Sequence, residues 1–438
     1  MSEQKKTKVA VTTLGCKVNQ FESAAFLSEL EMRGVEVVPF ARIADIYIIN
    51  TCTVTARAAA QSRQMIRRAL KTNGQARVVV TGCYSQVAAT EVMELADWAV
   101  CIVGNGHKHR LVDIALSDKQ CDIEMHLGDI ASRRTICPLT PARFPGRTRA
   151  YLKLQDGCNN FCSYCIVPYA RGRSRSLDPA AALAQIALFV AAGHREIVLT
   201  GIHVGMYGLD LSPRTELTDF IGLATSRFPD VRFRLSSLEP NEIGDDLLDL
   251  MAARENFMPH LHIPLQSGDD AILRAMNRRY SAADFASLVE RIRVRIPAAA
   301  IGVDVLVGFP GETEEAFAAT AALLAKLPVT YLHVFPYSRR PGTMAAGMDK
   351  QIPGPEKERR VAELRRLDQK KRAIFYRRHL GETHLVLAEN RKNRFRLMRG
   401  FTENYIPVLF PALEKENNTL IEVRLERLEE GIVFGQRL

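Results

Sequence analysis

The sequence predicts an α/β chain in three parts. These are an N-terminal Rossmann-like parallel sheet, a central partial (β/α)6 barrel and a C-terminal small antiparallel β-barrel of the OB type. Three observations carry this expectation. Short apolar runs alternate with helical stretches in residues 1–120, and the pattern recurs in residues 149–350. Such alternation marks strands joined by crossover helices. After Gly381 the pattern changes to five short strand-like pieces with no helices between them, as in small closed barrels.

At 438 residues the chain has room for two or three domains. No apolar run approaches the ~20 residues that a membrane span needs. The first eight residues are polar and carry no apolar signal region. Nine cysteines, an odd number, fit a reducing compartment better than a disulfide framework. The expected location is therefore the cytoplasm, with no membrane partner.

In the first part, residues 8–14, 35–39, 46–50, 77–81 and 99–103 read as strands, and 19–33, 55–71 and 85–95 as helices. Parallel sheets of this kind hold ligands outside the carboxyl ends of their strands. Cys16, Cys52 and Cys83 each follow a strand, where strand turns to helix. All three are thus expected on one edge, with Gly15 and Gly82 permitting close backbone approach. Three thiolates suit an iron–sulfur cluster with one iron left open; three separate buried thiols are the alternative. Residues 121–148 read as a polar connection. Cys101 reads as a small hydrophobe in its strand, and Cys121 and Cys137 receive no role.

In the second part, strand candidates are 151–155, 196–200, 232–235, 261–265, 302–307 and 331–335, with helices at 179–192, 282–293 and 314–327 among them. Barrels of this kind place their chemistry at the carboxyl ends of the strands. The first strand leads into Gly157-Cys158-Asn159-Asn160-Phe161-Cys162-Ser163-Tyr164-Cys165, a C-x3-C-x2-C spacing. Three thiolates so close also suit an iron–sulfur cluster with an open iron. A zinc knuckle would need a fourth Cys or His, and the next twenty-five residues hold neither. His203, His262 and His333, near strand ends, read as satisfied barrel residues rather than metal ligands.

The third part follows a basic helix, 351–380. Between Gln351 and Gly400 there are 15 Lys/Arg against 6 Asp/Glu, which is most of the chain's net charge of +10. Such a concentration reads either as a phosphate-binding footprint or as a solvated helix face. Five short strands in residues 381–438 suit a barrel that binds single-stranded nucleic acid, with Phe395, Phe401 and Tyr405 as either stacking faces or core.

Taken together, the two cysteine triads and the terminal barrel resemble the radical S-adenosylmethionine (SAM) methylthiotransferases from end to end. Leu14-Gly15-Cys16-Lys17-Val18-Asn19-Gln20 and Asn50-Thr51-Cys52-Thr53-Val54-Thr55 are similar to the MtaB branch. That branch methylthiolates N6-threonylcarbamoyladenosine beside the tRNA anticodon. The resemblance implies two 4Fe-4S clusters as catalytic centres. Cys158, Cys162 and Cys165 would hold the one that binds and cleaves SAM. Cys16, Cys52 and Cys83 would hold the auxiliary one that carries the transferred sulfur. It also implies a C-terminal TRAM domain, an anticodon stem-loop as partner, an electron donor such as flavodoxin or ferredoxin, and a sulfur donor.

By the same resemblance, Thr200 and Gly201 end a strand that meets the amino group of SAM. Asp304 and Gly308 belong to the adenosine-contacting strand and turn. Gln266 and Tyr164 contact cofactor, or else cap a turn and pack a loop. Arg340-Pro341-Gly342-Thr343 shapes the substrate mouth. Other readings are an isopentenyl-adenosine or ribosomal-protein target, or an iron–sulfur RNA-binding protein without catalysis. A cobalamin-dependent methyltransferase is disfavoured by the lack of an Asp-x-His-x-x-Gly sequence in the N-terminal part.

Overall fold

The computed structural model describes residues 6–95, 100–117, 124–392 and 397–438. The N-terminal sheet has six parallel strands in the order β2-β1-β3-β4-β5-β6. They are β1 (Lys8–Thr13), β2 (Glu36–Val38), β3 (Ile46–Thr51), β4 (Arg77–Gly82), β5 (Val100–Val103) and β6 (Glu124–His126). Every residue of β3, β4 and β5 is buried. Apolar clusters on both faces explain why these strands read as continuous apolar runs. β6 lies in the stretch read as a connection; it pairs with β5, Cys101 opposite Glu124. The helix expected over 85–95 is two short helices, Cys83–Val87 and Ala89–Met93, divided at Ala88 (φ −137°, ψ 42°).

The second part begins with β7 (Arg149–Lys153) and a short antiparallel ribbon of β8 (Gln155–Asp156) and β9 (Arg175–Ser176). Its other strands are β10 (Glu196–Thr200), β11 (Arg232–Leu235), β12 (His260–Gln266), β13 (Ala300–Val307) and β14 (Tyr331–Pro336). They form two parallel sheets, β11-β10-β7 and β12-β13-β14, joined by a bridge between Phe233 and Phe257. Among the described residues no ladder pairs β7 with β14, so the barrel is open there. The helix Lys17–Met32 of the N-terminal part packs on β7, and its Phe21 and Ala24 join the barrel's outer core. The basic helix Gly354–Arg378 lies along β14, with Val361 and Leu364 in the same core.

Several of that helix's charges are spent within the chain. Arg360 pairs with buried Glu312 at 2.6 Å, and Arg359 with Glu314 at 2.6 Å. Part of the expected phosphate footprint is therefore a set of struts holding helix to barrel.

The terminal barrel is closed, in the order β15-β16-β17-β19-β18. Its strands are β15 (Thr383–Lys392), β16 (Met398–Phe401), β17 (Pro407–Phe410), β18 (Leu420–Glu429) and β19 (Ile432–Arg437). Four pairings are antiparallel, and the closing one, β17 with β19, is parallel. The loop after β16 docks against the amino-terminal ends of the larger barrel's strands. Arg234 donates to the Glu403 carbonyl at 3.0 Å, and Arg149 to the Tyr405 hydroxyl at 3.2 Å. Tyr405 stacks on Phe401 with centroids 4.8 Å apart and leans on His260 at 4.4 Å. Phe401 and Tyr405 are thus part of the joint between the two barrels, not free stacking faces. Phe395 lies outside the described residues.

Candidate active site

Cys16 caps the helix Lys17–Met32. Gly15 before it has φ +95°, and a Cβ there would lie 2.8 Å from the Cys52 Sγ. Cys52 follows β3, where its N–H donates to the Ser62 Oγ at 3.2 Å and its carbonyl accepts from the same hydroxyl at 2.9 Å. Cys83 opens its helix directly after Gly82, which has φ +100°; a Cβ on Gly82 would lie 2.3 Å from the Thr51 carbonyl oxygen. The two glycines let the three cysteine loops meet on one sheet edge. Cys52 and Cys83 are buried, and Cys16 is exposed. Burial, with Cys83 and Cys16 close by, pushes the Cys52 thiol up to about 12.

The second triad sits where β7 ends. The Cys158 N–H donates to the Gly172 carbonyl at 3.0 Å, and the Cys165 N–H to the Cys162 carbonyl at 2.9 Å. Cys158 Sγ lies 3.6 Å from His203 Nδ1, whose Nε2 is 2.5 Å from Glu242. Arg278 donates to Cys162 Sγ at 3.3 Å and pairs with Glu239 at 2.5 Å. Burial, with Cys162 next, pushes Cys165 up to about 12. Each triad thus gathers sulfur ligands that would repel one another as bare thiolates, and burial adds to that cost at Cys52, Cys83 and Cys165. Iron cations would reverse that penalty, and an all-thiolate donor set suits iron–sulfur chemistry. The residues present fit such clusters.

Buried charges connect the two triads. Arg171, fully buried and six residues beyond Cys165, donates to Asp156 at 2.9 Å, Glu22 at 3.0 Å and Asn19 at 2.5 Å. The positive charge of Arg171 also works against the burial that raises the Cys83 thiol's pKa. Lys108 pairs with Glu22, and Lys153 with Asp156 at 3.3 Å. Burial opposes the charge on Asp156, but Arg171 and Lys153 hold its carboxyl well below the usual carboxylate range. A second link ties the loop after β14 to the N-terminal part: Arg340 donates to the Thr53 hydroxyl at 2.6 Å, and the Ala56 N–H to Ser338 at 2.8 Å. The Arg340 loop therefore touches the residue next to Cys52.

Inside the barrel, Asp304 lies 2.9 Å from His262 Nε2 and 3.3 Å from His333 Nδ1. Burial would raise its carboxyl, but the two imidazoles win and hold it low. The Ser237 hydroxyl meets His262 Nδ1 at 2.5 Å. Gln266 ends β12 with φ +65°, a conformation that bulky residues seldom adopt. Tyr164 packs near Phe309, with centroids 6.5 Å apart, beside an apolar cluster that includes Met276 and Tyr337. Thr200 is buried; beside Gly201 lies Gln155, whose Oε1 accepts from the His203 N–H at 2.8 Å. Gly308, φ +74°, gives its side-chain space to Lys357. Cys101 is buried in the sheet core, and Cys137 Sγ lies 3.4 Å from His109 Nδ1.

Sequence reasoning missed Glu22, Asp156, Arg171, Lys153 and Lys108. A weak signal was present. Glu22 interrupts the run Phe21 to Ala25, and Lys153 stands between Leu152 and Leu154. Charges inside apolar runs are costly unless paired.

Two family models match: the Uncharacterized protein family UPF0004 over residues 8–104 and the Radical SAM superfamily over residues 152–324. A threonylcarbamoyladenosine tRNA methylthiotransferase MtaB of Aquifex aeolicus is 39% identical, over 92% of this chain and 96% of its own. The Bacillus subtilis protein of that name is 36% identical, over 98% and 95%. The chain belongs to the radical SAM methylthiotransferases. A tRNA-2-methylthio-N(6)-dimethylallyladenosine synthase of Dictyoglomus thermophilum, 34% identical over 93% of each chain, is a further relative of this methylthiotransferase. Among solved structures, the radical SAM methyltransferase TsrM of Kitasatospora setae shares the fold. Its TM-score is 0.55 at 18% identity, over 78% of this chain and 77% of that one.

Proposed function

We propose that this methylthiotransferase converts N6-threonylcarbamoyladenosine beside the tRNA anticodon to its 2-methylthio derivative. The observation that carries the reading is the tying together of two three-cysteine sites, by Arg171's bonds to Asp156, Glu22 and Asn19 and by Arg340 with Thr53, in a chain so similar to MtaB proteins. In this reading Cys158, Cys162 and Cys165 hold a 4Fe-4S cluster that binds SAM, and Cys16, Cys52 and Cys83 hold the auxiliary 4Fe-4S cluster. When bound, these groups supply one-electron cleavage of SAM and the sulfur to be transferred.

The chain's own residues position and shield. Arg278 donates to the Cys162 sulfur and His203 lies against the Cys158 sulfur, which orients those ligands. Gln266, in its left-handed conformation, and Asp304, between two imidazoles, offer polar contacts to SAM from the strand ends, and Thr200, Gly201 and Gly308 stand at the ends of β10 and β13. Tyr164 backs this site from beside the Phe309 cluster. His333 is 46% exposed and faces the opening. A polar lumen of His262, Asp304 and His333 suits the hydroxyl and carbamoyl groups of a threonylcarbamoyl arm better than an apolar isopentenyl arm. The anticodon stem-loop enters where β7 and β14 stay unpaired, and the terminal barrel, in the position of a TRAM domain, contributes to holding it. The electron and sulfur come from separate donors, and the setting is cytoplasmic. Among the described residues no helix is long and apolar enough to cross a membrane.

Nucleoside mass spectrometry of tRNA from cells lacking the gene tests the reading. The methylthio mark should vanish from threonylcarbamoyladenosine and persist on isopentenyl-adenosine; the opposite pattern overturns the branch.

A further inference from the structure

Two aromatic rings stand out on the surface of the Cys158–Cys165 loop. Phe161, between the first two cysteines, is 47% exposed, and Tyr169, four residues beyond the third, is 48% exposed. Their rings meet edge to face with centroids 5.9 Å apart. Phe161 has φ +46°, which a bulky residue adopts only when its surroundings impose it. The constraint is visible. Asn277 Nδ2 donates to both the Asn160 and Phe161 carbonyls at 3.1 Å, and Asn277 itself has φ +60°. Apolar neighbours on the same loop turn inward: Ile166 is buried, and Tyr164 lies against the Phe309 cluster. Phe161 is instead held outward by a backbone that pays strain to keep it there.

Three arginines stand within three residues of groups that bond this loop. Arg173 lies between Gly172, whose carbonyl accepts from the Cys158 N–H, and Ser174, whose N–H donates to Asn159. Arg274 and Arg279 flank Asn277. All three arginines are exposed, and none forms an ion pair among the described residues, unlike their neighbour Arg278.

We infer that the Phe161–Tyr169 pair and its arginine rim are the docking face for a small acidic one-electron carrier protein. The inference rests on the proposed radical SAM reading, in which each cleavage consumes an electron that the chain must receive from outside. Phe161 stands between two of the cysteines that would hold the SAM-binding cluster, so a carrier seated on it lies beside that loop. Aromatic and arginine side chains are the usual anchors of protein interfaces. Unpaired charge of one sign steers an opposite partner and makes the encounter salt-dependent. Aromatic rings among arginines also suit a nucleobase. Position on the ligand loop favours the carrier, and RNA becomes an outcome of the test.

The experiment uses anaerobically reconstituted holoenzyme with two electron sources: dithionite, and an acidic flavodoxin with its NADPH-dependent reductase. The variants are Phe161→Ala with Tyr169→Ala, and Arg274→Glu with Arg279→Glu. Iron content checks that each cluster loop is intact. Flavodoxin-driven cleavage of SAM should fall on the order of tenfold or more in either double variant, the scale of losing an interface anchor. The dithionite-driven rate and the affinity for tRNA should stay within about twofold of the parent, and the parent's flavodoxin-driven rate should fall with salt. Equal losses with both reductants would mean that the pair supports the cluster and docks nothing. Weakened tRNA binding with intact flavodoxin-driven cleavage would make this an RNA surface. An unchanged flavodoxin-driven rate would also overturn the inference. Absence of any SAM cleavage by the dithionite-reduced parent would instead refute the underlying radical SAM reading.

Discussion

Replacing Arg171 by alanine should cost this fold more than any single surface change, and its cost can be worked from the contacts. The side chain is fully buried and bonds Asp156, both oxygens of Glu22, and Asn19. Its loss strands two buried carboxylates with less cationic compensation than they need. Removing one partner of a buried ion pair costs about 3–5 kcal/mol. Lys108 and Lys153 still face Glu22 and Asp156, so the loss should fall within that range and not reach twice it. Arg171→Lys keeps the charge but not the planar fork, and should lose roughly half as much. Because Arg171 holds Asn19, three residues beyond Cys16, the alanine variant should also hold the auxiliary cluster poorly while retaining iron at Cys158, Cys162 and Cys165. Urea unfolding under anaerobic conditions, with iron counted before and after desalting, measures both effects. A loss below about 1 kcal/mol with iron fully retained would refute the account of this network.

Other outcomes follow from the same geometry. Cys158→Ala should abolish SAM cleavage, whereas Cys83→Ala should spare cleavage and stop sulfur insertion; both are read from 5′-deoxyadenosine and nucleoside products. Gly82→Ala places a Cβ 2.3 Å from the Thr51 oxygen at φ +100°, so it should destabilise the chain by about 1–3 kcal/mol and lower iron at the auxiliary site; unchanged unfolding would count against the cradle. His260 is buried, and burial first, then Arg234 and His262, hold its pKa well below 6.5. Its folded pKa is depressed, so its contribution is full above pH 6.5 and is lost as pH falls below it, where the unfolded chain takes up the proton. His260→Gln should flatten stability between about pH 7 and 5 in thermal melts, and a profile as steep as the parent's would contradict this.

Much of the fold was legible because its signals are local. Strand-length apolar runs located β7 and β10 to β14, and cysteine spacing singled out the Cys158–Cys165 loop without any long-range information. The convergence of Cys16, Cys52 and Cys83 was legible for a geometric reason, since parallel strands put their carboxyl ends on one edge. What stayed hidden depends on partners far apart in sequence. Glu22 and Arg171 are separated by 149 positions, and nothing near either names the other. Tyr405 read as either a stacking face or core, but Arg149 and His260 claim it from the larger barrel. Arg360 looked like part of a phosphate footprint, but Glu312 neutralises it.

Iron and sulfide quantitation of the anaerobically reconstituted protein, with and without the triple change Cys16→Ala, Cys52→Ala and Cys83→Ala, tests the two-centre claim most directly. The parent should bind about eight irons and the triple variant about four, at one four-iron cluster per cysteine triad. A parent that saturates at about four, or a triple variant that still holds about eight, would contradict it.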